Sequence, residues 1–355
     1  MSPSPTEFTL ELTPRARVDV IDVRRLINRQ FGDGLDDYPR ALCCSFHTTA
    51  GYLDRGVIAR LKDSSDVMPY IDVFRTMFPE QAGYEHDKLE RRTELTDEQR
   101  PVEPQNADSH LAVMAGALRT CVSYPNKPGD PIAFVDLDGV HAGRARRRVT
   151  TVLGYTAEEP VAQTRIIVPV STHSVDSVNL KDPNLGVYDT CAELLARHGV
   201  TKGRIRLALA SGEHHAGLTV NEYETLLMRH DLREVLRDPL RFMAEKAGHM
   251  LGNPRAIPAK ALDYAKYDLV RVFNKLVDAL GLNESMVESV MSRAIGMPAA
   301  RFLRMKRSVS LLVSDRHEPG KGSIVEGTYQ SPILVQWHRG EQPTRALDVT
   351  LTRFV

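Results

Sequence analysis

The sequence has few cysteines, and none at a spacing that would give them chemistry. Four of its 355 residues are Cys43, Cys44, Cys121 and Cys191, and no Cys-x-x-Cys pair occurs. A disulfide scaffold and a cysteine-ligated zinc site are therefore excluded. We predict reduced, buried thiols, with Cys43 and Cys44 pointing to opposite faces of a strand.

The chain also lacks net charge, a long apolar run and a leader. Lys and Arg together number 46, as do Asp and Glu, so no surplus charge favours nucleic acid or a membrane surface as a partner. No stretch approaches the roughly 18 apolar residues of a membrane span. Residues 1–7 have neither a basic region nor an apolar core. These absences predict a cytoplasmic protein whose partner is a small molecule.

Common catalytic signatures are missing as well. The sequence contains no glycine-rich phosphate loop, no Gly-x-Gly-x-x-Gly, no Ser-His-Asp order, and no deaminase or zinc-finger spacing. The nucleotide-binding and hydrolase classes that these motifs mark are therefore disfavoured.

What the sequence does contain is an internal repeat. An apolar run ending in His47–Gly51 recurs as one ending in Glu213–Gly217, and Pro131–Gly139 recurs as Pro332–His338. The landmarks keep their order, with offsets of 166 between Gly51 and Gly217 and 200 between Asp136 and Gln336. We therefore predict two tandem domains, residues 8–158 and 159–355, the second with a helical insertion at about 239–307.

Periodicity predicts an α+β fold with antiparallel or mixed sheets. Alternating apolar residues indicate strands, and spacings of three and four indicate helices. A polar segment at about 79–105 has no period, which is typical of a functional or mobile loop. The main predicted strands are Phe8–Thr13, Ala16–Ile21, Leu42–Phe46, Arg165–Val170, Val309–Val313 and Leu347–Thr352; the main predicted helices are Val23–Gln30, Leu111–Leu118, Val187–His198, Tyr223–Arg237, Leu240–His249, Ala259–Leu280 and Glu284–Met305.

The landmarks resemble the YjbQ-like family, also called secondary thiamine-phosphate synthases. Its pattern combines His-Thr-Thr-Ala-Gly, Thr-x-Asn-Glu, Asn-Ala-Asp-x-His, Gly-Thr-Trp-Gln and an acidic strand end. The first repeat matches at His47–Gly51, Asn106–His110 and Val135–Gly139, and the second at Ala216–Glu222 and Gly327–Gln330. Each repeat departs elsewhere. The first has Tyr52–Gly56 where Asn-Glu should follow and Gly129-Asp130 in place of Trp-Gln. In the second, Glu213 replaces the first His and Gln336 replaces the strand acid.

The resemblance implies a divalent-metal site of the zinc or magnesium class, and it implies roles for the matching residues. The metal ligands would be His47, His110 and Asp136. The catalytic residues would be Glu222, Asp108 and Gln330, with Glu222 as a general base. The substrate-binding residues would be Thr48, Thr49, Asn106, Asn221, Tyr329 and Arg146.

Structural alternatives remain open for most of these residues. A histidine can be a hydrogen-bonded core residue, Asn106 or Asp108 can cap the following helix, and Tyr329 can be ordinary sheet packing. Arg144, Arg146 and Arg148 would share one side of a strand and could form a phosphate-binding row, or a solvated face.

The two repeats have lost complementary parts of the motif, which predicts one composite site between them. Glu222 and Gln330 of the second repeat would then approach His47 and His110 of the first. We expect a metal-dependent enzyme, a transferase or lyase, acting on a small anionic, phosphorylated metabolite, and assembly into a homo-oligomer. The alternative is a non-catalytic ligand-binding or scaffold protein of the same fold.

Overall fold

The computed structural model describes residues 3–61, 66–238, 241–242, 245–246, 305–340 and 342–355. The chain forms two compact units. The first contains Met1–Arg55, Leu118–Glu222 and Met305–Val355, and the second contains Gly56–Ala117 and Tyr223–Arg304. Each unit takes segments from both halves of the sequence, so the units differ from the two predicted sequence repeats.

The first repeat contributes two antiparallel sheets to the first unit. Sheet 1 has the strand order β1-β10-β3-β6, and sheet 2 has the order β2-β7-β4-β5. A short hairpin, β8-β9, precedes β10. The strands are β1 (Thr6–Leu12), β2 (Asp19–Asp22), β3 (Arg40–Ser45), β4 (Ala50–Leu53), β5 (Leu118–Arg119), β6 (Cys121–Pro125), β7 (Ala133–Asp136), β8 (Val140–His141), β9 (Arg144–Ala145) and β10 (Arg148–Tyr155).

The second repeat contributes two further antiparallel sheets to the same unit. Sheet 3 has the strand order β11-β18-β13-β15-β16, and sheet 4 has the order β12-β17-β14. The strands are β11 (Glu158–Pro169), β12 (Asp176–Asn179), β13 (Gly203–Leu209), β14 (Ala216–Asn221), β15 (Ser308–Ser314), β16 (Ser323–Val325), β17 (Ser331–Gln336) and β18 (Thr344–Phe354).

The strand register confirms the predicted correspondence between the repeats. The four strands of sheet 1 correspond in order to the first four of sheet 3, to which β16 is added. The three strands of sheet 4 correspond in order to the first three of sheet 2, to which β5 is added. Ala50 lies opposite Asp136 in sheet 2, and Ala216 lies opposite Gln336 in sheet 4. Both landmark pairs therefore occupy equivalent positions, and the fold is α+β.

The described residues also form six α-helices. They are α1 (Val23–Phe31), α2 (Arg55–Ile58), α3 (Met68–Met77), α4 (Ala107–Ala115), α5 (Val187–His198) and α6 (Leu232–Arg237), and a π-helical turn, Leu227–Asp231, leads into α6. As predicted, α5 ends at Gly199, whose φ of 58° is left-handed and whose N–H bonds to the Leu195 carbonyl. The predicted helices Ala259–Leu280 and Glu284–Met305, and most of Leu240–His249, lie outside the described residues.

Alternation within the strands builds three apolar cores in the first unit. One lies within the first repeat and one within the second. The third joins the repeats, because β3, β6 and β10 of sheet 1 contribute to it together with β15, β16 and β18 of sheet 3. In this shared core Tyr155 stacks on Phe354 with ring centroids 4.0 Å apart, and the Sγ atoms of Cys44 and Cys121 lie 3.3 Å apart. We call it the inter-repeat core.

All four cysteines are free and buried, as the sequence predicts. Among the described residues, no helix combines the length and apolar character needed to cross a membrane.

Candidate functional site

His47 and Asp136, two of the predicted metal ligands, lie near strand ends of the first unit. Nε2 of His47 accepts a hydrogen bond from the backbone N–H of Val149 at 2.7 Å, which places the ring proton on Nδ1. Burial, followed by the charges of Arg148 and Arg146, lowers the pKa of His47 to about 3. The imidazole is therefore neutral at pH 7, with Nε2 already bound by the backbone.

Asp136 forms a buried, bidentate ion pair. Arg148 donates from Nε to Oδ2 at 2.7 Å and from Nη2 to Oδ1 at 2.8 Å, and the two side chains are 2% and 0% exposed. Nη2 also donates to Thr49 Oγ1, and Arg146 pairs with Asp138. Two arginines of the predicted row, Arg146 and Arg148, are thus each paired with an aspartate in this structure. Asp136 is held by Arg148 through both of its oxygens.

The second repeat builds the same framework with exchanged residues. Glu213 Oε1 accepts the backbone N–H of Ala346 at 2.7 Å. In the first repeat, His47 Nε2 accepts the backbone N–H of the equivalent residue, Val149. Arg345, the equivalent of Arg148, donates from Nη1 to Glu213 Oε2 at 3.0 Å. Its Nη2 lies 3.3 Å from the Oε1 atom of Gln336. The carboxylate that neutralises the arginine has moved from the strand to the loop.

Gln330 uses its amide to hold loops of the two repeats together. Nε2 donates to the carbonyls of Ser45 at 2.9 Å and His47 at 3.0 Å, and Oε1 accepts the N–H of Gly327 at 2.9 Å. With these bonds made, the buried amide has a positioning role in this structure. A Cβ at Gly327 would lie 1.9 Å from the Phe46 carbonyl oxygen, so only glycine permits this approach.

Asn221 makes a similar link between the repeats. Its Nδ2 donates to the Thr48 carbonyl at 3.4 Å, and its Oδ1 accepts the N–H of Glu222 at 2.8 Å. The Tyr329 side chain, in contrast, is 68% exposed. These contacts fix the end of β14, from which Glu222 follows.

Among the described residues, one group has the composition and spacing of a metal site: His86, His110 and Glu222, which we call the histidine cluster. Each offers one ligand atom, and these atoms all lie within 4.8 Å of one another. The two histidines are 0% and 1% exposed, with ring centroids 5.2 Å apart. Glu222 stands one peptide bond before Tyr223, where the second unit resumes.

Glu224 sets the orientation of His86 within the second unit. Its Oε2 lies 2.8 Å from Nδ1 of His86. Burial raises the pKa of Glu224, but the hydrogen bonds from His86 and from the N–H groups of Leu226 and Leu227 outweigh it, and the pKa is lowered. An ionised Glu224 accepts a hydrogen bond from Nδ1 of His86, which directs the other ring nitrogen, Nε2, towards Asn106. Such carboxylate–histidine pairs accompany metal-ligating imidazoles.

The π-helical turn that follows Glu224 holds the backbone of His86. Asp231, fully buried in this turn, accepts the N–H groups of Glu85 at 3.0 Å and His86 at 2.9 Å. Single π-turns of this kind occur preferentially at functional sites. Side chain and backbone of His86 are therefore both positioned by residues of the second repeat.

The start of α4 brings the second histidine to the cluster. Asn106 is the N-cap residue, and its Oδ1 lies 3.4 Å from Nε2 of His86. The carboxylate that bonds the first turn is Asp87, whose Oδ1 accepts the N–H of Ala107 at 3.0 Å. Burial raises the pKa of Asp87 to about 6. His110 and the buried Asp108 lie in the first turns of this helix.

The structure thus retains part of the predicted site. Glu222, Asn106 and His110 belong to or border the histidine cluster, whereas His47, Asp136 and Gln330 form the framework of the first unit. Sequence reasoning missed His86, because it lies in the aperiodic segment at 79–105. The signal available was a histidine next to an acid in a long polar loop, together with the acidic group around Glu222.

Comparisons with known proteins identify similar folds. No family model matches the sequence, and no curated protein matches it. A YbjQ-like protein of unknown function from Sulfolobus solfataricus P2 is 16% identical and covers 56% of this chain and 99% of its own, with a TM-score of 0.29. A hypothetical protein from Aeropyrum pernix K1 is 14% identical, covering 54% and 98%, with a TM-score of 0.28.

A third solved structure carries the family name. This uncharacterised protein of the YjbQ/UPF0047 family from Clostridium acetobutylicum is 14% identical, covering 54% of this chain and 99% of its own, with a TM-score of 0.26. The solved structures that the chain matches thus include members of the YjbQ family, each over about half of its length.

Proposed function

We propose that the histidine cluster binds a divalent transition-metal ion, and that the protein is a metal-dependent enzyme acting on a small anionic metabolite. The observation that carries this proposal is the convergence of two buried imidazoles and a carboxylate within 4.8 Å. Ligand atoms that share a zinc-class ion lie about 2.0–2.2 Å from it and so at most roughly 4.4 Å apart. A movement of a few tenths of an ångström closes the set.

The chemical types of the three ligand atoms restrict which metal ion the cluster would bind. Two imidazole nitrogens with one carboxylate suit zinc and its neighbours in the first transition row, whereas magnesium prefers oxygen ligands. Glu224 supports this choice, because a carboxylate hydrogen-bonded to the other ring nitrogen commonly accompanies a metal-ligating imidazole. In this arrangement Glu222 is a ligand, which differs from the general-base role that its sequence position suggests.

A three-ligand site leaves positions for a substrate oxygen. The ion would neutralise negative charge on an anionic group, as in displacement of a phosphorylated leaving group by a transferase or lyase. The chain itself contributes binding and orientation: Asn106 faces the site beside His86, and Asp108 lies one turn from it at the start of α4. Burial of both histidines keeps bulk water from the ring faces.

Metal content of the purified full chain tests the proposal. We expect close to one zinc-class ion per chain by elemental analysis, lost in His86→Ala and His110→Ala, and bound at least tenfold more weakly in Glu222→Gln. His338→Ala, an exposed histidine of the first unit, is the matched control and should keep its metal. His47→Gln should also keep it.

Retention of the metal by the His86→Ala/His110→Ala double variant would overturn the site. Loss of metal in His47→Gln, with the fold preserved by circular dichroism, would instead restore the ligand set implied by the family resemblance.

A further inference from the structure

A second polar cavity lies in the first unit, at the boundary between the two repeats. It has a volume of 320 Å³ and is lined by five arginines, two carboxylates and a group of hydroxyl side chains. The charged residues are Arg40, Arg55, Arg119, Arg204, Arg206, Asp54 and Glu158. The hydroxyl side chains are Ser123, Tyr124, Ser308 and Ser310.

The strand register shows that the cavity is built from equivalent positions of both repeats. Ser123 lies opposite Leu42 in sheet 1, and Ser310 lies opposite Arg206 in sheet 3. Leu42 and Arg206 are equivalent, because each stands three residues before the last residue of β3 or β13. By the same register Arg40 corresponds to Arg204.

Arg119 and Lys306 form a further equivalent pair beside the cavity. Arg119 lies opposite Tyr52, and Lys306 lies opposite Leu218. Tyr52 and Leu218 are equivalent, because they follow Ala50 and Ala216 by two residues. Arg119 donates to the Ser308 carbonyl at 2.7 Å, and Lys306 donates to the Leu118 carbonyl. Each repeat thus sends one basic side chain to the backbone of the other.

The charges around the cavity are only partly paired. Glu158 binds Arg204 at 2.6 Å and Asp54 binds Arg119 at 2.6 Å. Arg55 and Arg206, both exposed, make no ion pair with any described residue. Nε of Arg204 is buried and lacks a hydrogen-bond partner among the described atoms. Donors therefore exceed acceptors on this wall.

We infer that this inter-repeat cavity is a binding site for a phosphorylated small molecule, separate from the histidine cluster. Guanidinium groups and hydroxyls are the donors that phosphate oxygens prefer. Two carboxylates in the wall leave a net positive lining. Its volume exceeds that of one phosphate group, so it suits a diphosphate or a phosphate ester. A ligand held there contacts both repeats and stabilises their association.

Calorimetric titration of the full chain with inorganic pyrophosphate tests this inference. The buffer contains a chelator, so that binding cannot depend on metal at the histidine cluster. We expect Arg206→Gln to weaken binding roughly ten- to hundredfold, the value of one or two charge-assisted hydrogen bonds. Arg165→Gln is the matched control, since Arg165 is an exposed arginine on β11 of the same sheet. It should bind as the wild type does.

Two further variants separate geometry from charge. Arg206→Lys keeps the charge without the planar fork and should bind with intermediate affinity. Ser310→Tyr fills the cavity without changing charge and should weaken binding at least tenfold. His86→Ala should leave pyrophosphate binding unchanged, which keeps this result independent of the metal proposal.

Either of two results would overturn the site. One is no detectable heat for the wild type at millimolar pyrophosphate. The other is equal loss of affinity in Arg165→Gln and Arg206→Gln, which would indicate nonspecific attraction to the surface.

Discussion

At the residue scale, the two repeats place the carboxylate that pairs with a buried arginine at different positions. In the first repeat the loop residue is the neutral His47 and the strand residue is Asp136. In the second repeat the loop residue is Glu213 and the strand residue is Gln336. Each arginine therefore has one carboxylate, because an unpaired buried charge costs several kcal/mol.

Asp136→Asn should lower the free energy of unfolding by about 3–5 kcal/mol, because it leaves Arg148 buried without its carboxylate. Urea denaturation measures the loss. The arrangement of the second repeat supplies a rescue: His47→Glu combined with Asp136→Gln should recover part of the stability. A cost below about 1 kcal/mol for Asp136→Asn would show that Arg148 is neutralised by other means.

The depressed pKa of His47 makes stability depend on pH. Its pKa is about 3 in the folded state and about 6.5 when unfolded. The unfolded state therefore binds the proton first, and stability falls as pH drops from 6.5 towards 3. Between pH 7 and pH 5 the His47 contribution should fall by about 2 kcal/mol. Urea denaturation at both values should show a smaller fall in His47→Gln; an equal fall would mean that another group titrates.

At the element scale, the site depends on where segments begin and end. The end of β14 and the start of α4 follow from the sequence, because an apolar run stops at Asn221 and another starts after Asn106. The contact of His86 with Glu224 could not be predicted, because it joins residues 138 positions apart through tertiary packing. No periodicity encodes such a contact.

Glu224→Gln should weaken metal binding roughly 10- to 100-fold, because the amide no longer fixes the His86 tautomer. Metal titration in competition with a chelator measures the change. Glu234→Gln, an exposed glutamate of α6, is the control and should have no effect. Unchanged affinity in Glu224→Gln would mean that Glu224 serves only the start of the following helical turn.

Gly327→Ala should destabilise the first unit, because its Cβ would meet the Phe46 carbonyl oxygen at 1.9 Å. The loop must then move, and the Gln330 bonds to Ser45 and His47 are lost. We expect a cost of roughly 2–4 kcal/mol in urea denaturation. Gly212→Ala, where a Cβ meets nothing within 4 Å, should cost far less. Similar costs for both would exclude the steric explanation.

At the scale of the whole molecule, sequence repeats and compact units divide the chain differently. The first unit holds the sheets of both repeats, and the second holds the segments that follow β4 and β14. The duplication could be predicted, since the landmarks recur in order. The division could not, because the described part of the second unit joins segments that are far apart in sequence, as the contact of His86 with Glu224 shows.

Residues 1–156 and 157–355, produced separately, should not bind metal at the histidine cluster. The first segment contains His86 and His110, and the second contains Glu222 and Glu224. Each segment also exposes its half of the inter-repeat core. Co-expression should restore binding, as measured by elemental analysis of the purified pair. Full affinity in the first segment alone would show that the second repeat contributes no ligand.

The reactivity of the buried thiols Cys44 and Cys121 reports how often the two repeats separate. Their thiols face each other across adjacent strands within the inter-repeat core, and Cys121 also borders the arginine cavity. Burial, together with Cys121, raises the pKa of Cys44. A thiol reagent therefore attacks Cys44 only in molecules in which the inter-repeat core has opened. The labelling rate of Cys44 thus measures how often the repeats separate, and a molecule bound in the cavity should lower that rate by holding the two repeats together.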